Sequence, residues 1–264
     1  MFENQVVAIT GATGGIGRGL AEMFLANGAK VAISDYKDCS ATASELGAKP
    51  YICDVSNEAS VKKFIADVEN DLGDIDIYVS NAGVGSGNGR YVGGGSNESW
   101  EQAWQINVMG SVYAARDLMP KWCARESGRF VITASAAGLL NQIGSASYSS
   151  TKHAAVSFAE SIAIEHGAKG IKANCICPQY VRSDMTKGMP MAENSRDGLL
   201  EPKDVANALK TAIEKDEFYV FSHPVVKDYF VNRAMHPDVY LDGMQKLKHK
   251  VGEAFKHMKQ KNEG

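Results

Sequence analysis

The feature that most constrains this chain is a glycine-rich turn, TGATGGIG (Thr10–Gly17), set between the apolar run Val6–Thr10 and a segment with helical patterning. Glycines at a strand-to-helix turn let the backbone bend sharply and come close to a pyrophosphate. The helix that follows offers unpaired N–H groups and the positive end of its dipole. The spacing is T-G-x-x-x-G-I-G, with Gly11, Gly15 and Gly17, rather than the usual G-x-G-x-x-G. Such a turn works at the carboxyl end of a parallel strand.

The rest of the chain supplies a pattern for that sheet. Short runs rich in Val, Ile and Ala predict strands at Val6–Thr10, Lys30–Ser34, Pro50–Asp54, Ile75–Ser80, Arg129–Ser135, Ile171–Ile176 and Phe218–Phe221. Helical patterns fill the gaps: Gly15–Asn27, Cys39–Leu46, Asn57–Leu72, Ser99–Val108, Ser111–Arg125, Tyr148–His166 and Pro202–Lys215. Near-continuous apolar strands are buried on both faces. Their alternation with helices predicts an α/β fold, a doubly wound parallel sheet of the Rossmann type, as a single domain over 1–264.

Three regions break the alternation. Gly83–Gly95 is glycine-rich and reads as a mobile loop. Arg182–Leu200 carries Met185, Met189 and Met191 after a strand's carboxyl end; with Leu139, Leu140 and Ile143 it suggests an apolar substrate pocket under a lid, residues 182–200. Beyond Phe221, Met244, Leu247, Val251, Phe255 and Met258 recur at helical spacing, giving a C-terminal helical extension (222–264) with Lys246, Lys248, Lys250, Lys256 and Lys259 on its other face. Those lysines read as a solvated face.

The 264 residues carry a net charge of −3, which argues against a nucleic-acid partner. No stretch approaches the ~20 apolar residues of a membrane helix. The N-terminal residues lack the basic region of a secretory leader. Cys39, Cys53, Cys123, Cys175 and Cys177 are scattered, and the C-x-C pair fits buried thiols on one strand face. A cytoplasmic protein with reduced thiols is expected. The six histidines show no metal-ligand spacing, so no metal is expected; there is no G-x-S-x-G elbow either.

The second strand closes on Asp35, eighteen residues after Gly17. A carboxylate there accepts hydrogen bonds from both ribose hydroxyls and repels a 2′-phosphate. Arg18 and Lys37 are nearby cations that soften this, while Thr13 and Gly14 add no charge. The expected cofactor is NAD, with NADP as the alternative.

Of ten tyrosines, Tyr148 alone has a lysine, Lys152, four residues on. The two share a helix face, and Ser135 ends a strand thirteen residues earlier. A free phenol has a pKa near ~10 and is a poor base at neutral pH; lowering it to ~7 takes about 4 kcal/mol of differential stabilisation. An adjacent ammonium and an oxidised nicotinamide both act in that direction. Tyr148 is then the candidate acid/base for hydride transfer, and Ser135 is placed to hold the same alcohol oxygen.

Over residues 5–221 the chain resembles the classical short-chain dehydrogenases/reductases. The resemblance rests on Thr10–Gly17, Asp35, the pair Asp54–Val55, the run Asn81–Ala82–Gly83, the set Asn107, Ser135, Tyr148 and Lys152, and the turn opening at Pro178. It implies a catalytic tetrad in those four residues, with Lys152 also bonding the nicotinamide ribose and Asn107 holding a water that links Lys152 to solvent. It implies that Asp54 and Val55 flank the adenine. It places Ile16, Pro178, Val181 and Ser183 against the cofactor, with Gly11, Thr13, Gly15, Gly17, Asn81, Ala82 and Gly83. The substrate implied is a small secondary alcohol or ketone, and the assembly a homodimer or homotetramer. The chain departs from the family where Gln179 replaces the usual glycine and Ser183 the usual threonine. The run FYVFSHP (Phe218–Pro224) looks like the end strand of one family branch. The extension either covers the site's mouth or packs on a second subunit. A silent dinucleotide-binding sensor or scaffold stays open as a reading from another class.

Overall fold

The computed structural model describes residues 1–86, 91–193 and 195–262. Seven parallel strands form one sheet in the order β3-β2-β1-β4-β5-β6-β7. They are β1 Val6–Thr10, β2 Lys30–Asp35, β3 Lys49–Ile52, β4 Ile75–Ser80, β5 Gly128–Thr133, β6 Ile171–Ile176 and β7 Tyr219–Val220. The strand order reverses between β1 and β4, which opens a crevice at their carboxyl ends where ligands of such sheets bind.

Successive strand residues point to opposite faces, and two cores follow. Ala8, Tyr78, Phe130, Ile132 and Cys175 pack on one face under α3 (Glu58–Leu72), α5 (Gly110–Arg125) and α6 (Ala146–His166). Val7, Ile9, Val79, Val131 and Ile176 pack on the other under α1 (Gly15–Ala26), α2 (Ser40–Leu46) and α8 (Pro202–Glu214). At ~2 kcal/mol for each buried large side chain, these two layers are the main source of stability.

The structure departs from the sequence pattern where side chains compete with regular backbone. The helix predicted over Ser99–Val108 is α4, Asn97–Trp104, running into a π-turn over Gln105–Met109 and then directly into α5. The strand predicted to reach Ser135 stops at Thr133. Beyond it the chain enters a 3₁₀ turn, Ala136–Gly138, where the Ser135 hydroxyl accepts the Ala137 N–H at 3.1 Å. The third strand starts and ends earlier than Pro50–Asp54. Asp54 leaves the ladder and accepts the backbone N–H and hydroxyl of Ser56 at 2.9 and 2.7 Å. The strand predicted over Phe218–Phe221 keeps only Tyr219 and Val220 in the ladder.

The segment 182–200 holds one short helix, α7 Pro190–Glu193. The extension is two helices, α9 Val225–Met235 and α10 Pro237–Asn262. Pro237 cannot donate an N–H to continue α9 but suits a first helical position. On α10, Val239, Leu241 and Leu247 are exposed, as are Lys246, Lys248 and Lys250. The side chains of Val251, Phe255, Met258, Lys256 and Lys259 lie outside the described residues, as do residues 87–90 of the glycine-rich segment. Among the described residues no helix is long and apolar enough to cross a membrane.

Candidate active site

The glycine turn is shaped by close contacts. Gly11 has φ +63° and Gly15 φ +52°, a region that favours glycine. A Cβ on Gly11 would stand 2.7 Å from the Ala82 Cα; one on Gly17 would stand 2.6 Å from the Asn81 amide nitrogen and closer still to the Gly11 carbonyl. Asn81 fastens the two loops together: its Nδ2 donates to the carbonyls of Thr10 (3.0 Å) and Gly11 (2.9 Å). The Thr10 hydroxyl accepts the N–H groups of Asn81 and Ala82 at 3.0 and 3.1 Å. Gly14 is different, since nothing lies within 4 Å of a Cβ there. It precedes α1, which no side chain caps.

Above this turn lies a cleft of about 640 Å³, bounded by Gly11, Thr13–Ile16, Asp35, Asp54, Val55, Asn81–Gly83, Ser135, Tyr148, Lys152, Pro178, Val181 and Ser183. Of the predicted site residues, Gly17 and Asn107 are not on its surface. Gly17 is filled in by backbone. Asn107 is buried in the π-turn, a place where such turns often hold functional side chains. Its Oδ1 accepts the Val84 N–H at 2.8 Å, and its Nδ2 donates to the Val84 carbonyl and the Thr151 hydroxyl, both at 3.0 Å. It therefore fastens the loop after β4 to α6.

Ser135, Tyr148 and Lys152 meet at the cleft floor. Gly138 makes this possible, because a Cβ there would come within 2.5 Å of the Lys152 carbonyl, so the 3₁₀ turn can lie on the α6 backbone. Lys152 is 4% exposed and its Nζ donates to the Thr133 carbonyl at 2.9 Å. The ammonium lies 5.7 Å from the Tyr148 ring centre. Burial pulls the Lys152 pKa down to about 8. Tyr148 hydrogen-bonds Ser135, but burial outweighs that bond and raises the phenol above its usual value. Desolvation thus acts first on both groups, against the lysine-lowered phenol expected from the sequence.

At the adenosine end, Asp35 accepts the Thr13 hydroxyl at 2.7 Å and the Tyr36 N–H at 2.9 Å. Of the two cations expected to soften its charge, Arg18 faces elsewhere, while the Lys37 charge still acts with Asp35. Arg18 pairs with Glu22 (3.1 Å) and Glu45 (3.0 Å), and Lys37 lies over the Tyr36 ring.

Leu139 is fully buried and Leu140 packs against the same core, so neither walls the cleft. Met185 does, facing Gly85 from across the opening. The wall residues Gln102, Ile106 and Asp184 were not predicted; only their nearness to the motifs in the chain marked them. Residues 139–141 instead support the extension. Arg233 of α9 donates to the Leu139 carbonyl and lies 2.8 Å from the His153 ring, and the Tyr240 hydroxyl accepts the Asn141 N–H at 3.1 Å. Tyr229 bonds Asp197 of the 182–200 segment at 3.2 Å.

Residues 5–194 match the family described as short chain dehydrogenase. The chain belongs to that family. Curated short-chain dehydrogenases similar to it include the meso-2,3-butanediol dehydrogenase of Serratia marcescens, 31% identical over 83% of this chain and 91% of that one. The mitochondrial borneol dehydrogenase of Lavandula x intermedia is 31% identical over 86% and 90%. Among solved structures, the 3-ketoacyl-(acyl-carrier-protein) reductase of Brucella melitensis complexed with NADH superposes with TM-score 0.75 at 29% identity, covering 80% of this chain and 91% of that one. A short chain dehydrogenase/reductase of Burkholderia phymatum in complex with NAD gives 0.77 at 27%, covering 91% and 96%. The protein is thus an oxidoreductase-family member with the family's doubly wound sheet. Among the described residues no group of His, Cys, Asp or Glu is placed to hold a metal.

Proposed function

We propose that this protein interconverts a secondary alcohol and a ketone with NAD(H), using Tyr148 as general acid/base. The observation that carries this reading is the meeting of Ser135, Tyr148 and Lys152 on the floor of the cleft whose far wall is the glycine turn and Asp35. Two features suit a dinucleotide. The uncapped start of α1 beside the open Gly14 leaves donors for a pyrophosphate. At Gly83 a Cβ would come within 3.3 Å of the Lys152 ammonium, so glycine there keeps the approach to that amine clear. Gly11, Thr13, Gly15, Ile16, Gly17, Asp35, Asp54, Val55, Asn81, Ala82, Gly83, Pro178, Val181 and Ser183 would hold the cofactor, with Tyr148 and Lys152.

A bound nicotinamide would supply the hydride acceptor or donor; the chain's residues handle the proton. In oxidation the Tyr148 oxygen takes the proton of the substrate hydroxyl, and in reduction it returns one. Ser135 holds the same oxygen as charge develops. Lys152, held by the Thr133 carbonyl and 5.7 Å from the Tyr148 ring centre, would donate to the cofactor's ribose. Burial raises the phenol's pKa in the free chain, so a cation bound beside it would favour the base role.

Asp35, with Arg18 engaged by Glu22 and Glu45, supports NAD over NADP. Butanediol and borneol, named in two relatives, are secondary alcohols and support that substrate class. In this reading 182–200 forms the substrate lid of a single catalytic domain, and 222–264 braces it. Exposed Trp104 and Ile164 on α4 and α6 support a homodimer or homotetramer, which sedimentation would test. Five unpaired cysteines fit a cytoplasmic setting.

The test is a screen of varied secondary alcohols with NAD, followed by absorbance of the reduced cofactor, alongside fluorescence titration with NADH and NADPH. Tyr148→Phe should lower turnover at least about 10³-fold while NADH affinity changes less than about threefold. Tighter NADPH binding overturns the role of Asp35. NADH binding without turnover of any alcohol or ketone favours a sensor.

A further inference from the structure

We infer that His223 is a positioning residue: its imidazole pins both sides of the neck of the 182–200 segment, so that the cleft wall at Gln179 and that segment keep one arrangement. The inference deepens the oxidoreductase reading and rests on it for the role of the wall.

The neck is where the segment leaves and rejoins the fold. Arg182 N–H donates to the Leu200 carbonyl at 2.9 Å, and Leu200 N–H to the Tyr180 carbonyl at 3.0 Å. His223 lies behind it, 3% exposed, just after β7. On the outgoing side its Nδ1 is 3.3 Å from the Gln179 backbone nitrogen; on the returning side its Nε2 is 3.4 Å from the Gly198 carbonyl. Ser222 Oγ is 3.4 Å from Nδ1. Gly198 has φ +91°, so the return is a sharp bend that something must hold.

These partners fix the tautomer. A backbone N–H only donates, so Nδ1 must carry a lone pair. A carbonyl only accepts, so Nε2 must carry the hydrogen. The neutral Nε2–H imidazole does both at once, whereas an imidazolium would set N–H against the Gln179 N–H. The acidic groups facing the ring are Asp197 from the segment and Asp204 from α8. Tyr229 occupies Asp197, and Asp204 accepts the Glu201 N–H at 2.9 Å. Both favour the imidazolium, yet burial is the larger effect and lowers the ring's pKa. A base whose folded pKa is depressed binds fewer protons than in the unfolded chain. The order it supports is therefore complete above the ordinary imidazole value of about 6.5 and declines as pH falls below it.

Gln179 shows what is at stake. It stands on the cleft wall, and its buried side-chain oxygen has no hydrogen-bond partner among the described residues. With no side-chain bond to hold that oxygen, the backbone bond to His223 anchors the turn.

The experiment is amide hydrogen exchange of the full chain between pH 5 and 8, corrected for intrinsic rates. It compares wild type with His223→Ala and with His223→Asn, whose amide oxygen can accept from Gln179 but cannot protonate. In wild type, exchange across 179–200 should rise about tenfold from pH 7 to pH 5, the factor of one net hydrogen bond, with β1 peptides unchanged. His223→Ala should show the high rate at both pH values, and His223→Asn the low rate without the step. A flat wild-type profile, or the same step in His223→Asn, overturns the inference; these two proteins decide it should the alanine variant not fold. NADH fluorescence is read on the same samples. The exchange step without NADH binding sinks the oxidoreductase reading and leaves the pin; NADH binding without the step sinks the pin alone.

Discussion

Between Thr10 and Gly83 one wall of the cleft is closed by backbone: Asn81 and the Thr10 hydroxyl join two loops through four bonds of 2.9–3.1 Å counting both amide donations, and Gly11 and Gly17 are filled to contact. Between Gln179 and Leu200 the facing wall is held at its neck, at bonds up to 3.4 Å, and leaves Met185 and Met189 exposed. The first wall is specified by which atoms fit, so it can accept one shape of ligand. The second is specified by a few anchor points, and the side chains between them are free to vary with substrate.

The largest expected effect breaks this contrast within the first wall. Gly17→Ala should destabilise the fold by about 3 kcal/mol, because backbone must shift, lowering Tm by roughly 6–10 °C and abolishing NADH binding. Gly14→Ala, with open space at its Cβ, should leave Tm within about 2 °C. Equal losses, measured by calorimetry and fluorescence, would show that the turn is not set by contact.

Lys152→Met tests the floor that both walls share. Turnover should fall at least about 10³-fold, yet the cofactor-free protein should gain about 1–2 kcal/mol at pH 7, since a buried charge is removed at the loss of one hydrogen bond. The sign can be checked against pH. The folded pKa of about 8 lies below the ordinary lysine value, so wild-type stability relative to the variant should rise from pH 8 toward about 10.5 and be lowest below 8. Thermal melts of both proteins across that range decide it.

How much of this was legible in the sequence follows the same division. Gly11, Gly15, Gly17, Asp35, Tyr148 and Lys152 stand at fixed spacings because backbone contact and an α-helical repeat leave little choice, and all seven strands fell within two residues of their place. Ser135 leaving its ladder and the π-turn at Asn107 depend on partners distant in sequence, Pro178 for the first and Val84 and Thr151 for the second, which local patterning does not carry. Leu139 looked like a pocket wall because apolar type alone cannot separate core from cleft. The dominance of burial over the Tyr148–Lys152 interaction needed the third dimension.

The smallest effect sharpens the second wall. Met185→Ala should raise the substrate KM about two- to fivefold, for roughly 1 kcal/mol of lost apolar contact, with NADH affinity unchanged. Excising the whole segment is a poorer probe, because Ser183 at its root lies 3.1 Å from where a Gly15 Cβ would stand, touching the glycine turn itself.

The π-turn that carries Asn107 has a practical meaning for anyone transplanting this cleft onto a designed scaffold. Straightening α4–α5 into one ideal rod removes the extra residue per turn and swings every later side chain by about 100°. The clasp on Val84 would then point away from the loop it secures, so the irregular coil is part of the blueprint to be copied.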